Sequence, residues 1–170
     1  MIPVRMPKNW LRSAEVQFVH PFDDLDIVAG QGSIAMEIVQ ELPTVDYILA
    51  PVGGGGLITG VSTLAKMLNP KIKVIGVEPA AAPSMTMALA SGEPVTLDSA
   101  NTIADGTAVK RVGDRIFEYA KKNIDQMLTV EDDELVGAFL DMVENHKMIV
   151  ENSGLLTVAA LKQLDLKGKK

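Results

Sequence analysis

Cysteine is absent from this 170-residue chain, and only two histidines, His20 and His146, are present. Without cysteine the chain can form neither a disulfide nor a thiolate nucleophile. We expect no zinc site, because such sites use several histidine and cysteine ligands and this chain has two imidazoles and no thiol. We expect both histidines to be ordinary loop or surface residues.

The chain also lacks an excess of positive charge and a long apolar run. Its net charge is -6, and the basic stretch 167–170 resembles a tail, so nucleic acid is not an expected partner. No run of about 18 apolar residues suggests a membrane span, and the first residues contain no signal-peptide core. Hydrophobic residues make up 47% of the chain, as in ordinary globular proteins. We therefore expect a cytoplasmic protein with no membrane partner.

Four consecutive glycines, Gly53, Gly54, Gly55 and Gly56, stand at the centre of the sequence pattern. An apolar stretch of strand length, residues 45–52, leads into them. A helical pattern follows at once, with apolar residues at Leu57, Val61, Leu64, Ala65 and Leu68, and Asn69-Pro70 ends it. Free glycine N–H groups before a helix N-terminus form a binding site for a phosphate or carboxylate. The alternative is a flexible turn between strand and helix.

Two familiar phosphate-binding loops do not fit these glycines. A Walker A loop that began at Gly55 would have Gly60 in place, but Val61 stands where its lysine is required. A dinucleotide-binding fingerprint that began at Gly53 would need glycine or alanine at Ile58. ATP is therefore not the predicted ligand, and NAD is poorly supported.

The rest of the chain alternates predicted strands with predicted helices. Strands are predicted at 16–19, 45–52, 72–77 and 126–130. Helices are predicted after Gly30-Gln31-Gly32 up to Pro43, from 57 to 68, over 83–90, from about 132 to 147, and from 155 to 162. Strand, helix and strand between 45 and 77 make a right-handed βαβ unit. The fold class is α/β, with a mainly parallel twisted sheet and helices on both faces.

The C-terminal third carries finer expectations. Thr129 and Asp132 resemble a capping box for the fourth helix. The buried face of that helix is predicted to consist of Leu135, Val136, Phe139, Leu140 and Val143. Residues 148–150 are too short for more than a brief strand or bridge. Pro3 and Pro7 make a regular element unlikely at the N-terminus, where residues 1–14 are left unassigned.

Four ordered motifs resemble a known family. They are Val52-Gly53-Gly54-Gly55-Gly56-Leu57, Ile75-Gly76-Val77-Glu78-Pro79, Thr102-Ile103-Ala104-Asp105-Gly106 and Val150-Glu151-Asn152-Ser153-Gly154. Their order and spacing are similar to those of the pyridoxal-phosphate (PLP) enzymes of the tryptophan-synthase-β type, also called fold type II. The resemblance is closest to the threonine dehydratases (threonine ammonia-lyases). It covers residues from about 20 to 170 and does not include residues 1–14.

The resemblance implies a cofactor site. The backbone amides of Gly53, Gly54, Gly55, Gly56 and Leu57 would hold the PLP phosphate. Gly106 would lie against the cofactor, and Glu151 would lie near the pyridine side of the pocket. Without the resemblance, Gly106 could be part of a turn, and Glu151 could merely stabilise the start of the last helix.

Glu78 admits two interpretations. It follows a strand, where a Rossmann fold places the acid that binds a ribose. The resemblance instead implies a cation site that includes Glu78 and Ala82. Some relatives complete that site with an aspartate, and the matching position here is Ser84.

The lysine on which the resembling family forms its Schiff base has no counterpart that we can identify in this sequence. The family forms its Schiff base on a lysine in a Ser-Phe-Lys-x-Arg-like segment, and no lysine here has such neighbours; Lys8 lies in Met6-Pro7-Lys8-Asn9-Trp10. No catalytic residue is therefore assigned. We expect residues 15–170 to be the C-terminal part of a PLP-binding large domain that is inactive alone, after an unassigned segment 1–14.

In a complete enzyme, the resemblance implies dehydration and deamination of L-threonine to 2-oxobutanoate and ammonia, a step of isoleucine biosynthesis, by a homo-oligomer. A serine dehydratase or serine racemase fragment is the near alternative. A nucleotide-binding module that uses Glu78 on a ribose is a second class. A non-catalytic fragment that pairs with itself or a partner through exposed edges is a third.

Overall fold

The computed structural model describes residues 18–170, and these form six helices and three strands. The helices are α1 (Leu25–Glu41), α2 (Gly56–Leu68), α3 (Ser84–Ser91), α4 (Phe117–Asn123), α5 (Asp132–Glu144) and α6 (Asn152–Ala160). The strands are β1 (Tyr47–Pro51), β2 (Lys73–Pro79) and β3 (Gln126–Val130). Short 3-10 helices lie at Asp105–Thr107 and Leu161–Gln163. No helix in this part of the chain is long and apolar enough to cross a bilayer.

The three strands form one parallel sheet in the order β1-β2-β3. Ile48 of β1 lies opposite Val74, and Gly76 of β2 lies opposite Met127. Every residue of β2 after Lys73 is buried. A central parallel strand is covered on both faces and therefore has a continuous apolar sequence. The predicted βαβ unit and α/β fold class are confirmed.

Helices cover both faces of the sheet, as predicted. On one face Ile48, Ala50 and Val74 pack with buried residues of α1, α2 and α4. On the other face Val77 and Val130 pack with buried residues of α5 and α6. Successive strand side chains point to opposite faces, so β2 contributes to both cores.

Helix α1 begins earlier than predicted. It starts at Leu25, because the carboxylate of Asp24 accepts a hydrogen bond from the Asp26 N–H over 2.9 Å and so caps the helix. Gly30 and Gly32 were expected to precede the helix, but both lie inside it. A Cβ added to Gly32 would lie 3.5 Å from the carbonyl oxygen of Gly60, so α1 and α2 cross closely at Gly32 and Gly60.

Helix α4 was not predicted at all, and one predicted strand was wrong in its described part. In the strand predicted at 16–19, residues 16 and 17 lie outside the described part, and Phe18 and Val19 are not in a strand. Residues 148–150, expected to form at most a brief strand or bridge, are in no regular element. Neither segment takes part in the ladders that join the described strands. The predicted unassigned segment, 1–14, lies outside the described residues.

The details of α5 also differ from prediction. Its capping box is formed by Glu131 and Glu134, and Asp132 instead accepts a hydrogen bond from the Thr102 hydroxyl over 2.6 Å. The helix ends at Glu144 rather than Lys147. Leu135 and Ala138 face the core, while three residues of the predicted buried face are largely exposed: Val136, Phe139 and Leu140. These three residues, named here the α5 stripe, are not covered by any described element.

Candidate functional site

A cleft of about 440 Å³ lies at the carboxyl end of β1, where α2 begins. The predicted residues Gly53, Gly54, Gly55, Gly56, Leu57, Gly106 and Glu151 all line it. Segments far apart in the sequence therefore meet at one place. The carboxyl ends of parallel strands are the usual location of ligand sites in α/β sheets.

The backbone of the glycine loop, residues 53–57, is arranged to bind an anion. Gly55 has φ 99° and ψ -7°, a left-handed conformation that favours glycine. The N–H groups of residues 53–57 donate to no acceptor within residues 18–170, whereas the neighbouring Val52 N–H bonds the carbonyl of Val77 over 2.8 Å. The last two residues of the loop form the N-terminus of α2, where the helix dipole is positive.

The glycine loop and the 3-10 helix Asp105–Thr107 pack together at Gly53 and Gly106. A Cβ on Gly53 would lie 3.2 Å from the carbonyl oxygen of Gly106 and 3.1 Å from the Cα of Thr107. Thr107 fixes its own turn, because its hydroxyl donates to the Ala104 carbonyl over 3.0 Å. At this wall of the cleft the two segments therefore pack mainly through backbone atoms.

Glu151 lies at the N-terminus of α6, but its carboxylate does not cap that helix. Its Oε1 accepts a hydrogen bond from the hydroxyl of buried Ser153 over 3.1 Å. A Cβ on Gly106 would lie 2.9 Å from this hydroxyl and 3.8 Å from Glu151 Oε2. The structure thus brings Gly106, Glu151 and Ser153 together, with an acidic group held at the edge of the cleft.

Sequence reasoning missed several residues that line the cleft: Pro21, Phe22, Ile27, Gln31, Thr107, Val109 and Ser153. Phe22 is the most prominent, since its ring lies against Gly54. Residues 20–24 have turn-like sequence and were interpreted only as a loop. Ser153 lies inside a quoted motif and could have been found from its position two residues after Glu151.

The predicted cation site lies away from the cleft. Glu78 is fully buried; its Oε1 accepts the Met85 N–H over 2.6 Å, and its Oε2 accepts the Thr86 N–H over 2.9 Å and the Thr86 hydroxyl over 2.7 Å. The Ala82 carbonyl accepts the Ser84 N–H over 2.9 Å. Within residues 18–170, no group of three or more histidine, aspartate or glutamate side chains could hold a metal ion.

The contacts of Glu78 indicate a structural role. They satisfy N–H groups at the start of α3, a helix without any other side-chain cap. Burial raises the pKa of Glu78, although the hydrogen bonds from Met85 and Thr86 partly offset the rise. A Glu78 in this position does not line the cleft, which argues against the ribose-binding interpretation.

Lysine side chains are missing from the lining of the cleft in the described part of the chain. Lys8 lies outside the described residues. Among residues 18–170, the cleft therefore combines an anion-binding loop with an acidic group and offers no amine.

Comparison with known proteins decides the family. The sequence pattern of the family described as "Pyridoxal-phosphate dependent enzyme" matches residues 4–170. The chain belongs to this family. It is 47% identical over 154 residues to the L-threonine ammonia-lyase of Thermotoga maritima, a match that covers 90% of this chain and 38% of that protein.

Solved structures agree with the family and the fold. The processed form of threonine deaminase isoform 2 from Solanum lycopersicum superposes with a TM-score of 0.85 and 39% identity, over 89% of this chain and 44% of that chain. Serine racemase from Dictyostelium discoideum gives a TM-score of 0.84 and 39% identity, over 91% of this chain and 49% of that chain. The chain spans less than half the length of each of these proteins.

Proposed function

We propose that the cleft binds PLP and that the amides of residues 53–57 hold its phosphate. The observation that carries this proposal is the run of five N–H groups without a described acceptor, at the N-terminus of α2. A phosphate with three oxygens accepts several such donors at once. Membership of the family supports PLP over other phosphate esters.

The remaining residues of the cleft fit the same ligand. Gly106 has no side chain, so the Ser153 hydroxyl can pack against it at the wall of the cleft. Glu151, oriented by Ser153, supplies a hydrogen-bond acceptor at the edge of the cleft. When bound, PLP supplies an electron sink for chemistry at the α-carbon of an amino acid. We assign no cation to the predicted site at Glu78 and Ala82, because the oxygens of Glu78 already accept hydrogen bonds from the start of α3.

For the whole protein we propose the activity of a threonine ammonia-lyase, which converts L-threonine to 2-oxobutanoate and ammonia. The 47% identity to a protein of that name supports this proposal. Serine is the second candidate substrate, supported by the 39% identity to a serine racemase. Residues 15–170 would be part of the PLP-binding large domain of such an enzyme.

We also propose that this chain does not complete the reaction alone, since no described lysine lines the cleft. Borohydride reduction with PLP, followed by peptide mapping, tests this point. The proposal predicts no unique modified lysine, whereas one lysine labelled in stoichiometric yield would contradict it. A homo-oligomer is proposed on the basis of the exposed α5 stripe, and a monomeric mass by light scattering would argue against it.

The experiment that tests cofactor binding is isothermal titration with PLP, with pyridoxal, which lacks the phosphate, as the matched ligand. We expect saturable binding of PLP with one site per chain. We expect pyridoxal to bind at least about tenfold more weakly, because it lacks the charge-assisted hydrogen bonds to the loop. Equal affinity for the two ligands, or no binding of PLP, would overturn the proposal.

A further inference from the structure

The glycine loop is bounded on one side by a single aromatic side chain, Phe22. A Cβ added to Gly54 would overlap the ring carbons of Phe22. Gly54 is not among the residues with positive φ, so its backbone conformation alone would accept alanine. Space taken by the Phe22 ring therefore excludes a side chain at position 54.

Phe22 also touches the loop through its backbone. A Cβ added to Gly56 would lie 2.9 Å from the Phe22 carbonyl oxygen and 3.0 Å from its Cα. The ring and the main chain of one residue thus pack against two of the four glycines. Both contacts join segments more than 30 residues apart in the sequence.

The turn that carries Phe22 is fixed by hydrogen bonds. His20 Nδ1 accepts the Asp23 N–H over 2.9 Å, and the His20 and Phe22 rings meet edge to face with centroids 4.6 Å apart. Asp23 Oδ1 accepts the N–H groups of Arg115 over 2.8 Å and Ile116 over 3.3 Å. The turn is therefore tied to the segment 113–116.

The segment 113–116 holds the glycine loop from another side. The Gly113 N–H donates to the Gly54 carbonyl over 3.0 Å. The turn 20–24, the loop 53–57 and the segment 113–116 therefore contact one another pairwise. A ring of contacts of this kind constrains the direction of the loop amides more than any one contact does.

We propose that Phe22 is a positioning residue for the anion: it holds Gly54 and Gly56 so that the loop amides converge on one phosphate. This inference rests on the proposed function for the identity of the ligand. Phe22 is half-buried, and its ring serves as the wall against which the loop is ordered. Preorganised donors bind more tightly than donors that must be ordered at the moment of binding.

The test compares wild type with Phe22→Ala, and with Phe139→Ala as the matched control on the α5 stripe. We expect Phe22→Ala to weaken PLP binding at least about tenfold, a loss that ordering a loop on binding can cause, while Phe139→Ala has no effect. Phe22→Leu retains only part of the apolar bulk over Gly54 and should give an affinity between those of wild type and Phe22→Ala. It is the test variant if Phe22→Ala does not fold. Wild-type affinity in Phe22→Ala, or in Phe22→Leu where that variant replaces it, would overturn the inference.

A double-mutant cycle with Gly54→Ala separates positioning from general destabilisation. We expect Gly54→Ala to weaken PLP binding strongly in wild type and only slightly in the Phe22→Ala background, because the ring that its Cβ would meet is gone. Strictly additive effects of the two changes would contradict a direct contact.

A ligand-free readout distinguishes this inference from the proposed function. Backbone ¹⁵N order parameters for residues 53–57 should be about 0.85 in wild type and fall below about 0.6 in Phe22→Ala. Unchanged order parameters would overturn the inference even if PLP binds. Failure of PLP to bind an ordered wild-type loop would instead overturn the proposed function.

Discussion

Met85 of α3 closes the space beside Gly55 of the glycine loop. A Cβ added to Gly55 would lie 2.8 Å from Met85 Cε and 2.9 Å from Ile116 Cδ1. The N–H of the same Met85 donates to buried Glu78 over 2.6 Å. The start of α3 therefore connects the buried carboxylate to the wall behind the loop.

Gly55→Ala tests the conformation of the loop. At φ 99° a side chain costs about 1–2 kcal/mol, and here it also meets Met85. We expect a lower midpoint of thermal unfolding and loss of PLP binding by titration.

Gly137→Ala is the matched control for that substitution. Gly137 lies inside α5, and a Cβ there would meet nothing within 4 Å. Alanine should raise the free energy of unfolding by about 0.5–1 kcal/mol and leave PLP binding unchanged. Destabilisation at position 137 as large as that at position 55 would contradict the account of Gly55.

Removing the carboxylate of Glu78 should destabilise the start of α3. Glu78→Ala leaves the N–H groups of Met85 and Thr86 without their acceptor, a loss of about 1–3 kcal/mol for a buried group. Urea unfolding measures this difference. A loss below about 0.5 kcal/mol, typical of a surface substitution, would show that Glu78 does not stabilise α3.

The pH dependence of stability provides a separate test of Glu78. Because burial raises its folded-state pKa, the folded protein holds this proton more tightly than the unfolded chain. Stability should therefore fall as pH rises from the unfolded pKa, about 4.3, through the folded pKa. Glu78→Gln should lack this fall. If the stabilities of wild type and Glu78→Gln changed with pH in the same way from pH 4 upward, the burial of this carboxyl group would be contradicted.

Asp125 should affect the pH dependence of stability in the opposite direction to Glu78. Burial acts to raise its pKa, but hydrogen bonds from Lys66, Lys73 and the Val74 N–H outweigh that effect and lower it. The Lys66 and Lys73 ammonium groups lie 2.6 and 2.8 Å from its carboxylate. Its contribution to stability is complete above the unfolded pKa, about 3.9, and is lost as pH falls through the folded pKa.

Asp125→Asn measures this contribution. The variant should be less stable than wild type at pH 7, and the difference should narrow as the pH is lowered below about 4. Urea unfolding at several pH values provides the comparison. A difference that widens in acid would contradict the assigned ion pairs.

Local sequence signals predicted the centre of the fold well. The apolar strand, the glycines and Asn69-Pro70 placed β1, the loop and α2 because each signal acts within a few residues. The start of α1 was missed because Asp24 caps the helix through its side chain while Gly30 and Gly32 resemble a turn. Gly32 instead serves the crossing with Gly60 of α2, a contact between distant segments, whereas a Cβ on Gly30 would meet nothing within 4 Å.

In the candidate site, too, local motifs were predicted but contacts between distant segments were not. The motifs contain Gly53 to Leu57, Gly106 and Glu151, and the structure brings all of them to one cleft. Phe22 could not be predicted, because its role depends on packing against Gly54 across 32 positions of sequence. The periodicity of α5 correctly predicted a helix with an apolar face. The residues of that helix that are buried in the core, however, are Leu135 and Ala138, whereas Phe139 and Leu140 are exposed.

The most direct test of the central claim is a ¹⁵N-resolved NMR titration of the chain with PLP, which follows the backbone amides one by one. We predict that the largest shifts fall on residues 53–57, that they saturate together, and that pyridoxal without its phosphate does not reproduce them. If PLP binds but the signals of residues 53–57 do not move, the glycine loop is not the phosphate site and the account is wrong.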